Sequence, residues 1–211
     1  LVAHPLPTTE WGVDIAVTAS QKGLMLPPGM AVITVSSRAW AAAGRSDLPK
    51  AYLELDRYRR ALSEGRGPAT LPVTLMTGLR ASLDMMLEQG MEAIWRQHAL
   101  QAKSVRQAAI ALGLSCFAKC PSNALTAIRL PEVVDGLALM ESMRTDFGVV
   151  VGGGLGDLRG KIIRISNLGY VDDLDILTAI SALELGLEKI GYGFTPGSGV
   201  GAAAGILREG K

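Results

Sequence analysis

Two short runs of β-branched residues flank a turn rich in glycine and proline, and this pattern constrains the fold of the chain most strongly. Residues 14–18 and 30–35 are predicted strands, because apolar runs bounded by Gly and Pro are typical of buried strands. Lys22 lies between them, so we expect its amine at a strand end, enclosed by apolar chain. Partial desolvation there disfavours the ammonium form, and lysines in that setting form Schiff bases. The alternative is a surface lysine in a loop.

A one-sided apolar stripe follows the glycine- and proline-rich residues 65–72. Thr70 can cap a helix whose first turn accommodates Pro72. The stripe recurs at helical spacing up to Gly90 and then resumes as far as Leu112. We therefore predict a hinge near Gly90, with residues 1–90 in one domain and residues 91–190 in a second, smaller one.

Beyond Gly113 the pattern becomes a mixture of strands and helices. The predicted strands are residues 114–117, 124–130, 149–151 and 161–166, and the predicted helices are residues 132–146 and a last helix capped by Asp172 or Asp173. This order predicts an α/β architecture, a small sandwich with helices on one face of a sheet. We expect the tail, residues 191–211, to be disordered, since it is rich in Gly and Ala.

Composition excludes several classes of partner. The 21 basic and 20 acidic residues give a net charge of +1, which leaves no electrostatic footprint for nucleic acid. No apolar run reaches the roughly 18 residues that a membrane span needs, so we expect no membrane partner. Cys116 and Cys120 make neither a disulfide framework nor a metal pair, which favours a reducing, intracellular (cytoplasmic) compartment.

The first residues resemble the middle of a protein. They have no initiator Met and no charged and apolar regions of a signal peptide. Apolar strands of this kind usually belong to parallel sheets, which need further strands. We expect the chain to be the C-terminal part of a longer polypeptide.

Arg164 interrupts the isoleucine-rich pattern of its predicted strand. A buried guanidinium is costly unless an anion meets it, and its planar fork matches a carboxylate bidentately. A substrate carboxylate is therefore a natural partner, and the alternatives are an internal salt bridge or a strand face open to water. Thr70 is a second candidate anion ligand, because a helix N-terminus attracts anions, although it can equally be a simple cap. His98 is expected on the surface of its helix.

Several motifs in order resemble one family. Residues 20–25 (Ser-Gln-Lys-Gly-Leu-Met) with the Pro-Pro-Gly of residues 27–29 are similar to the cofactor-lysine segment of class V pyridoxal-phosphate aminotransferases. The similarity is greatest to the alanine–glyoxylate and serine–glyoxylate (serine–pyruvate) branch. Residues 95–98 (Trp-Arg-Gln-His) and the Gly-Gly-Leu-Gly of residues 153–156, followed by residues 160–165, resemble further motifs of that family.

The resemblance implies a fold, a cofactor and roles for particular residues. The fold would be type I of the pyridoxal-phosphate-dependent transferases, with residues 1–90 as the C-terminal part of the large cofactor-binding domain. Lys22 would hold pyridoxal 5'-phosphate covalently, and Ser20, Gln21 and Thr70 would contact it. Arg164 would bind the α-carboxylate of the amino acid.

The resemblance also implies partners and activity. The substrates would be small amino acids and 2-oxo acids, with alanine or serine as donor and glyoxylate or pyruvate as acceptor. The enzyme would be a homodimer with shared active sites, in which Thr70 reaches the phosphate bound by the partner subunit. Some members carry a tyrosine where this chain has Gly67. The aspartate that pairs with the cofactor's ring nitrogen lies upstream in the family, so we expect these residues alone to bind cofactor weakly and not to turn over.

Other readings remain open at this point. A relative on the same fold could transfer an amino group from ureidoglycine to glyoxylate, or could be a lyase or a desulfurase. A desulfurase requires a cysteine over the cofactor, and neither Cys116 nor Cys120 is predicted there. A hypothesis of another class is a non-catalytic fragment or subunit that keeps the fold as an interaction surface.

Overall fold

A computed structural model describes residues 2–210 and divides them into two compact units. The first unit contains residues 5–88, and the second contains residues 89–210 together with Val2–His4. The division falls next to Gly90, the residue at which the sequence predicts a hinge. The first unit contains β1 (Ile15–Ala19), β2 (Ala31–Val35), α1 (Ser37–Ala43), α2 (Leu55–Ser63) and α3 (Val73–Gln89).

The two predicted strands of the first unit form an antiparallel pair. Ile15 lies opposite Val35 and Ala19 lies opposite Ala31, so the ladder runs to both ends of the two strands. The expectation that these strands are buried is wrong for the described residues, because Val17 is 60% exposed and Ile33 is 42% exposed. Two strands alone leave their faces to solvent unless another layer packs on them.

The start of α1 is fixed by a capping serine and an ion pair. The Ser36 hydroxyl accepts a hydrogen bond from the Ala39 N–H and so caps the helix, which ends at Gly44. Asp14, just before β1, accepts hydrogen bonds from the Ser36 hydroxyl and from Arg38, each at 2.6 Å. These bonds tie the outer end of the strand pair to the helix that follows it.

Helix α3 begins later than the sequence predicts, so Thr70 does not cap it. The first helical residue is Val73, and the Met76 N–H donates to the Pro72 carbonyl at 3.0 Å. Before that, the Val73 N–H donates to the Leu71 carbonyl at 2.9 Å, which turns the chain tightly ahead of the helix. Pro72 lacks an N–H and therefore suits the boundary, while Thr70 stays exposed two residues further out.

The second unit confirms the predicted α/β architecture. In chain order it contains α4 (Met91–Ala111), β3 (Ser115–Cys116), β4 (Leu125–Arg129), α5 (Gly136–Phe147), β5 (Gly152–Gly153), β6 (Ile162–Ser166), α6 (Asp173–Lys189) and α7 (Ser198–Glu209). The strands form one antiparallel sheet in the order β3-β4-β6-β5. Asp172 caps α6 in a capping box with Asp175, as one of the two predicted caps.

The core of the second unit lies between one face of this sheet and the helices. Ile128, Ile163 and Ile165 point from the strands into a cluster of buried side chains from α4, α5 and α6. Side chains of a strand alternate between its faces, so Arg164 lies on the opposite face from its two isoleucine neighbours. The predicted strand at residues 149–151 is wrong, since the strand that pairs with β6 is Gly152–Gly153.

The tail is not disordered as far as the structure describes it, which corrects the prediction from composition. Helix α7 covers Ser198–Glu209, with Ala203 and Leu207 buried, and of the tail Lys211 alone lies outside the described residues. The buried carboxylate of Glu184 in α6 accepts the Gly197 N–H at 2.8 Å and the Val200 N–H at 2.9 Å. This carboxylate caps α7 from another helix, a contact that local composition does not reveal.

Candidate active site

The loop that carries Lys22 is a compact structure between β1 and β2. The Met25 N–H donates to the Lys22 carbonyl at 3.0 Å, which closes a turn that begins at Lys22. Met25 has φ of +58°. Among the described residues it is the one non-glycine residue whose φ lies in the left-handed region. Such a conformation costs free energy that the surrounding contacts must offset.

Ser20 holds this loop closed from inside. Its side chain is fully buried, its hydroxyl donates to the Pro27 carbonyl at 2.8 Å, and the Met30 N–H donates to the same hydroxyl at 3.3 Å. Its backbone adds bonds to Met30 and Leu26. The hydroxyl is therefore engaged within the loop, and the cofactor contact that the sequence suggests for Ser20 stays a prediction.

Lys22 and Gln21 lie at the accessible tip of the loop. Both side chains are exposed, and no hydrogen bond or ion pair engages them within the described part of the chain. The expectation that apolar chain encloses Lys22 is wrong for these residues, because β1 and β2 extend away from the turn as an open pair. The amine and the amide are available to a ligand at this position.

The loop rests on α3 through a residue that the sequence did not single out. Ser82 is buried in α3, and its hydroxyl donates to the Leu24 carbonyl at 2.7 Å. One turn earlier, a Cβ added at Gly78 would lie 2.8 Å from Leu26 Cδ2, so the loop packs where the helix has no side chain. The i, i+4 spacing of Gly78 and Ser82 on an apolar helix is the signal that could have identified the face of α3 on which the loop packs.

Arg164 belongs to the second unit, on the sheet face opposite the core. It pairs with Ala127 of β4 on one side and with Gly152 of β5 on the other, so both neighbours across the ladder are small. Its Nε is buried and has no hydrogen-bond partner among the described residues. A buried N–H without an acceptor is costly, which is the condition that a bound carboxylate would relieve.

The same face carries a second guanidinium. Arg129 is two residues from Ala127 along β4, and its guanidinium lies 4.9 Å from the centroid of the Phe117 ring. Arg129 is thus already stacked, whereas the Arg164 Nε lacks a partner. This difference makes Arg164 the better candidate for an anion ligand on this face.

The remaining polar residues that the sequence singled out have other roles. His98 is buried rather than on the helix surface, and burial lowers its pKa below the ordinary value. Cys116 and Cys120 are free thiols. Within residues 2–210, no three His, Cys, Asp or Glu side chains are grouped so that they could hold a metal ion. None of the helices in that range has the length and apolar character that crossing a membrane requires.

Comparison with known proteins identifies relatives over almost the whole chain. It is 42% identical over 210 residues to the "Soluble hydrogenase, small subunit" of Synechococcus sp., covering 98% of this chain and 54% of that protein. It is 39% identical over 213 residues to the serine–glyoxylate aminotransferase of Methylorubrum extorquens, covering 97% of this chain and 53% of the relative. No protein-family model matches.

A solved structure has the same fold. The pyridoxamine–pyruvate aminotransferase of Mesorhizobium loti superimposes with a TM-score of 0.93 at 33% identity, covering 100% of this chain and 55% of that protein. The chain therefore spans about half the length of the relatives that it matches, and the predicted type I transferase fold is confirmed. By sequence and by fold, the chain matches the C-terminal portion of class V pyridoxal-phosphate aminotransferases.

Proposed function

We propose that the whole protein is a pyridoxal-phosphate aminotransferase that moves an amino group from alanine or serine to glyoxylate or pyruvate. The observation that carries this proposal is Lys22, an accessible amine at the tip of a rigid turn, in a chain whose relatives include a serine–glyoxylate aminotransferase. The family of the chain supports the reaction class, and the donor and acceptor remain part of the proposal.

The residues present fit the cofactor in part. Lys22 offers a primary amine for its aldehyde, and Gln21 offers an amide donor beside it for the phosphate. Thr70 is exposed and available as a further phosphate ligand, in our proposal to the cofactor of the partner subunit in a homodimer. Ser20 is the weaker candidate ligand, because its hydroxyl already bonds to Pro27 and Met30 within the loop.

The residues of this chain perform binding and proton transfer. When bound, pyridoxal phosphate supplies the electron sink for charge that develops at the substrate α-carbon. The Lys22 amine acts as general base toward the α-carbon proton and then as general acid that returns it. Arg164 donates hydrogen bonds from its Nε and a terminal nitrogen to the substrate carboxylate, which fixes the orientation of the α-carbon.

The test is amino transfer by the whole protein with pyridoxal phosphate, measured as 2-oxo acid formed from alanine or serine. A panel of donors that includes ureidoglycine separates the relatives on this fold. We expect the fastest turnover with alanine or serine, and Lys22→Ala should abolish it at unchanged folding. Turnover that survives Lys22→Ala would disprove the role of this lysine.

A second candidate function follows from the hydrogenase relative. Its name describes a subunit, and at 42% identity it covers 98% of this chain, about as much as the serine–glyoxylate aminotransferase does at 97%. In this alternative the whole protein is a subunit of a larger assembly and keeps the fold as an interaction surface. Co-purification in a complex with hydrogen uptake, together with no amino transfer, would favour it over the aminotransferase.

A further inference from the structure

Ser82 joins two segments that are far apart in the sequence. It lies 58 residues after Leu24, yet its hydroxyl donates to the Leu24 carbonyl at 2.7 Å. The Ser82 side chain is 3% exposed and Leu24 is 8% exposed, so water does not compete for this bond. This is a tertiary contact between α3 and the loop that carries Lys22.

The bond acts on the turn that begins at Lys22. Leu24 is the third residue of that turn, and Met25, which closes it, has φ of +58°. The direction of the Leu24 carbonyl is set by the same peptide plane that leads into Met25. Fixing this carbonyl therefore stabilises the left-handed Met25 against relaxation, which would release the Lys22 backbone.

The packing around the bond is specific to this position. Leu26 lies against Gly78, where a Cβ would come within 2.8 Å of its Cδ2, and a Cβ at Gly29 would lie 3.0 Å from Leu75 Cδ1. One face of α3 is therefore shaped to receive the loop, with Ser82 as its hydrogen-bond donor. A serine that served the helix alone would bond to a carbonyl of its own helix, as Ser104 does with Gln101 at 2.7 Å.

We propose that Ser82 is a positioning residue for Lys22. Its bond to the Leu24 carbonyl holds the turn of residues 22–25 in its strained conformation. The consequence for catalysis rests on the function proposed above, but the effect on the turn does not. Loss of the hydroxyl frees the turn, so that the Lys22 amine samples more directions and its approach to a carbonyl carbon becomes less frequent.

Trypsin provides a readout at Lys22 itself, because it cleaves after lysine and requires local opening of the chain. We compare cleavage at Lys22–Gly23 with cleavage at Arg66–Gly67, an exposed bond in the same unit, in one digest followed by mass spectrometry. The variant is Ser82→Ala. The matched control is Ser104→Ala, which also removes a fully buried helix hydroxyl.

We expect Ser82→Ala to accelerate cleavage at Lys22–Gly23 about fivefold, since the bond contributes one buried hydrogen bond to the closed turn. Cleavage at Arg66–Gly67 should be unchanged, and Ser104→Ala should change neither. Equal acceleration at both bonds would show general destabilisation and would overturn the proposal. Unchanged cleavage at both bonds would overturn it as well. If Ser82→Ala does not fold, Ser82→Cys, which keeps a weak donor, should give a smaller shift in the same ratio.

A second readout separates this proposal from the proposed function. After incubation with pyridoxal phosphate and borohydride, the label on Lys22 is compared with the label on the exposed Lys50. Ser82→Ala should lower the Lys22-to-Lys50 ratio severalfold, and Ser104→Ala should leave it unchanged. An absence of Lys22 preference in the unmodified protein would contradict the cofactor role, while the tryptic ratio would still test Ser82.

Discussion

Arg164 lies directly across the β-ladder from Gly152 and covers its backbone. A Cβ added at Gly152 would lie 3.3 Å from both the Nε and the Nη2 of Arg164. The glycine therefore lets the guanidinium lie flat along the strand, where its Nε is buried without a partner. This relationship connects the glycine-rich motif of the sequence to the proposed carboxylate site.

Gly152→Ala should displace the guanidinium by a few tenths of an ångström and weaken the bidentate contact. We expect the KM for the amino donor to rise about tenfold in the whole protein, with a smaller change in kcat, because one charged hydrogen bond is compromised. Gly193→Ala is the control, since a Cβ there meets nothing within 4 Å. An unchanged KM in Gly152→Ala would contradict the role of Arg164.

Ser20→Ala should loosen the lysine loop. The change leaves the Pro27 carbonyl without its donor and the Met30 N–H without its acceptor, a cost of about 1–3 kcal/mol in a buried site. Hydrogen exchange of the Leu26 and Met30 amides should accelerate accordingly. Ser63→Ala, which removes an exposed hydroxyl bonded to Arg60, should not affect these amides; equal exchange in both variants would refute the structural role of Ser20.

Glu184→Ala should release helix α7. Two backbone N–H groups, of Gly197 and Val200, lose a charged acceptor, and we expect a loss of about 2–3 kcal/mol in the free energy of unfolding. Hydrogen exchange within Ser198–Glu209 should accelerate more than in the rest of the second unit. Glu188→Ala, an exposed glutamate on the same helix, is the control. Unchanged protection of α7 would show that its order does not depend on this cap.

His98 should make stability depend on pH. Burial lowers its pKa in the folded chain below the reference value of 6.5, and the nearby charge of His4 adds to the lowering, while the polar groups of Asn167 and Gln101 oppose it. Between the folded pKa and 6.5 the unfolded chain binds more protons, so stability is full above 6.5 and falls as the pH drops toward the folded pKa.

The measurement is urea unfolding at pH values above and below 6.5. The His98→Gln variant should lose less stability over this interval than the unmodified chain does, since the group that titrates is gone. His4 is the other histidine of the chain, and His4→Gln shows how much of the slope reflects its charge. Identical slopes in the unmodified chain and in His98→Gln would contradict this assignment.

The strands, helices and caps that local patterns govern could be predicted from the sequence. β1, β2, β4 and β6 lie within one residue of their predicted bounds, and Asp172 is one of the two expected caps. Their signals are β-branched runs and capping side chains, which act over a few residues. Arg164 could be singled out for the same reason, as a charge within an isoleucine-rich strand.

The features that depend on distant residues could not be predicted. The order of α7 depends on Glu184, and the packing of the Lys22 loop on α3 depends on Ser82. Both side chains are distant in sequence from the segment that they hold. The prediction that β1 and β2 are buried was wrong. Their apolar side chains predict a covering layer, which the described residues do not provide. The two partners of the Ser20 hydroxyl, Pro27 and Met30, could not be predicted either, because sequence spacing does not reveal them.

Covalent trapping shows whether Lys22 is the lysine that holds the cofactor. The whole protein is incubated with pyridoxal phosphate, reduced with borohydride and digested, and the labelled peptide is identified by mass spectrometry. We expect a pyridoxyl group on Lys22 far in excess of every other lysine, and its loss in Lys22→Arg. An even distribution of the label over the lysines, or no label on Lys22, would contradict it.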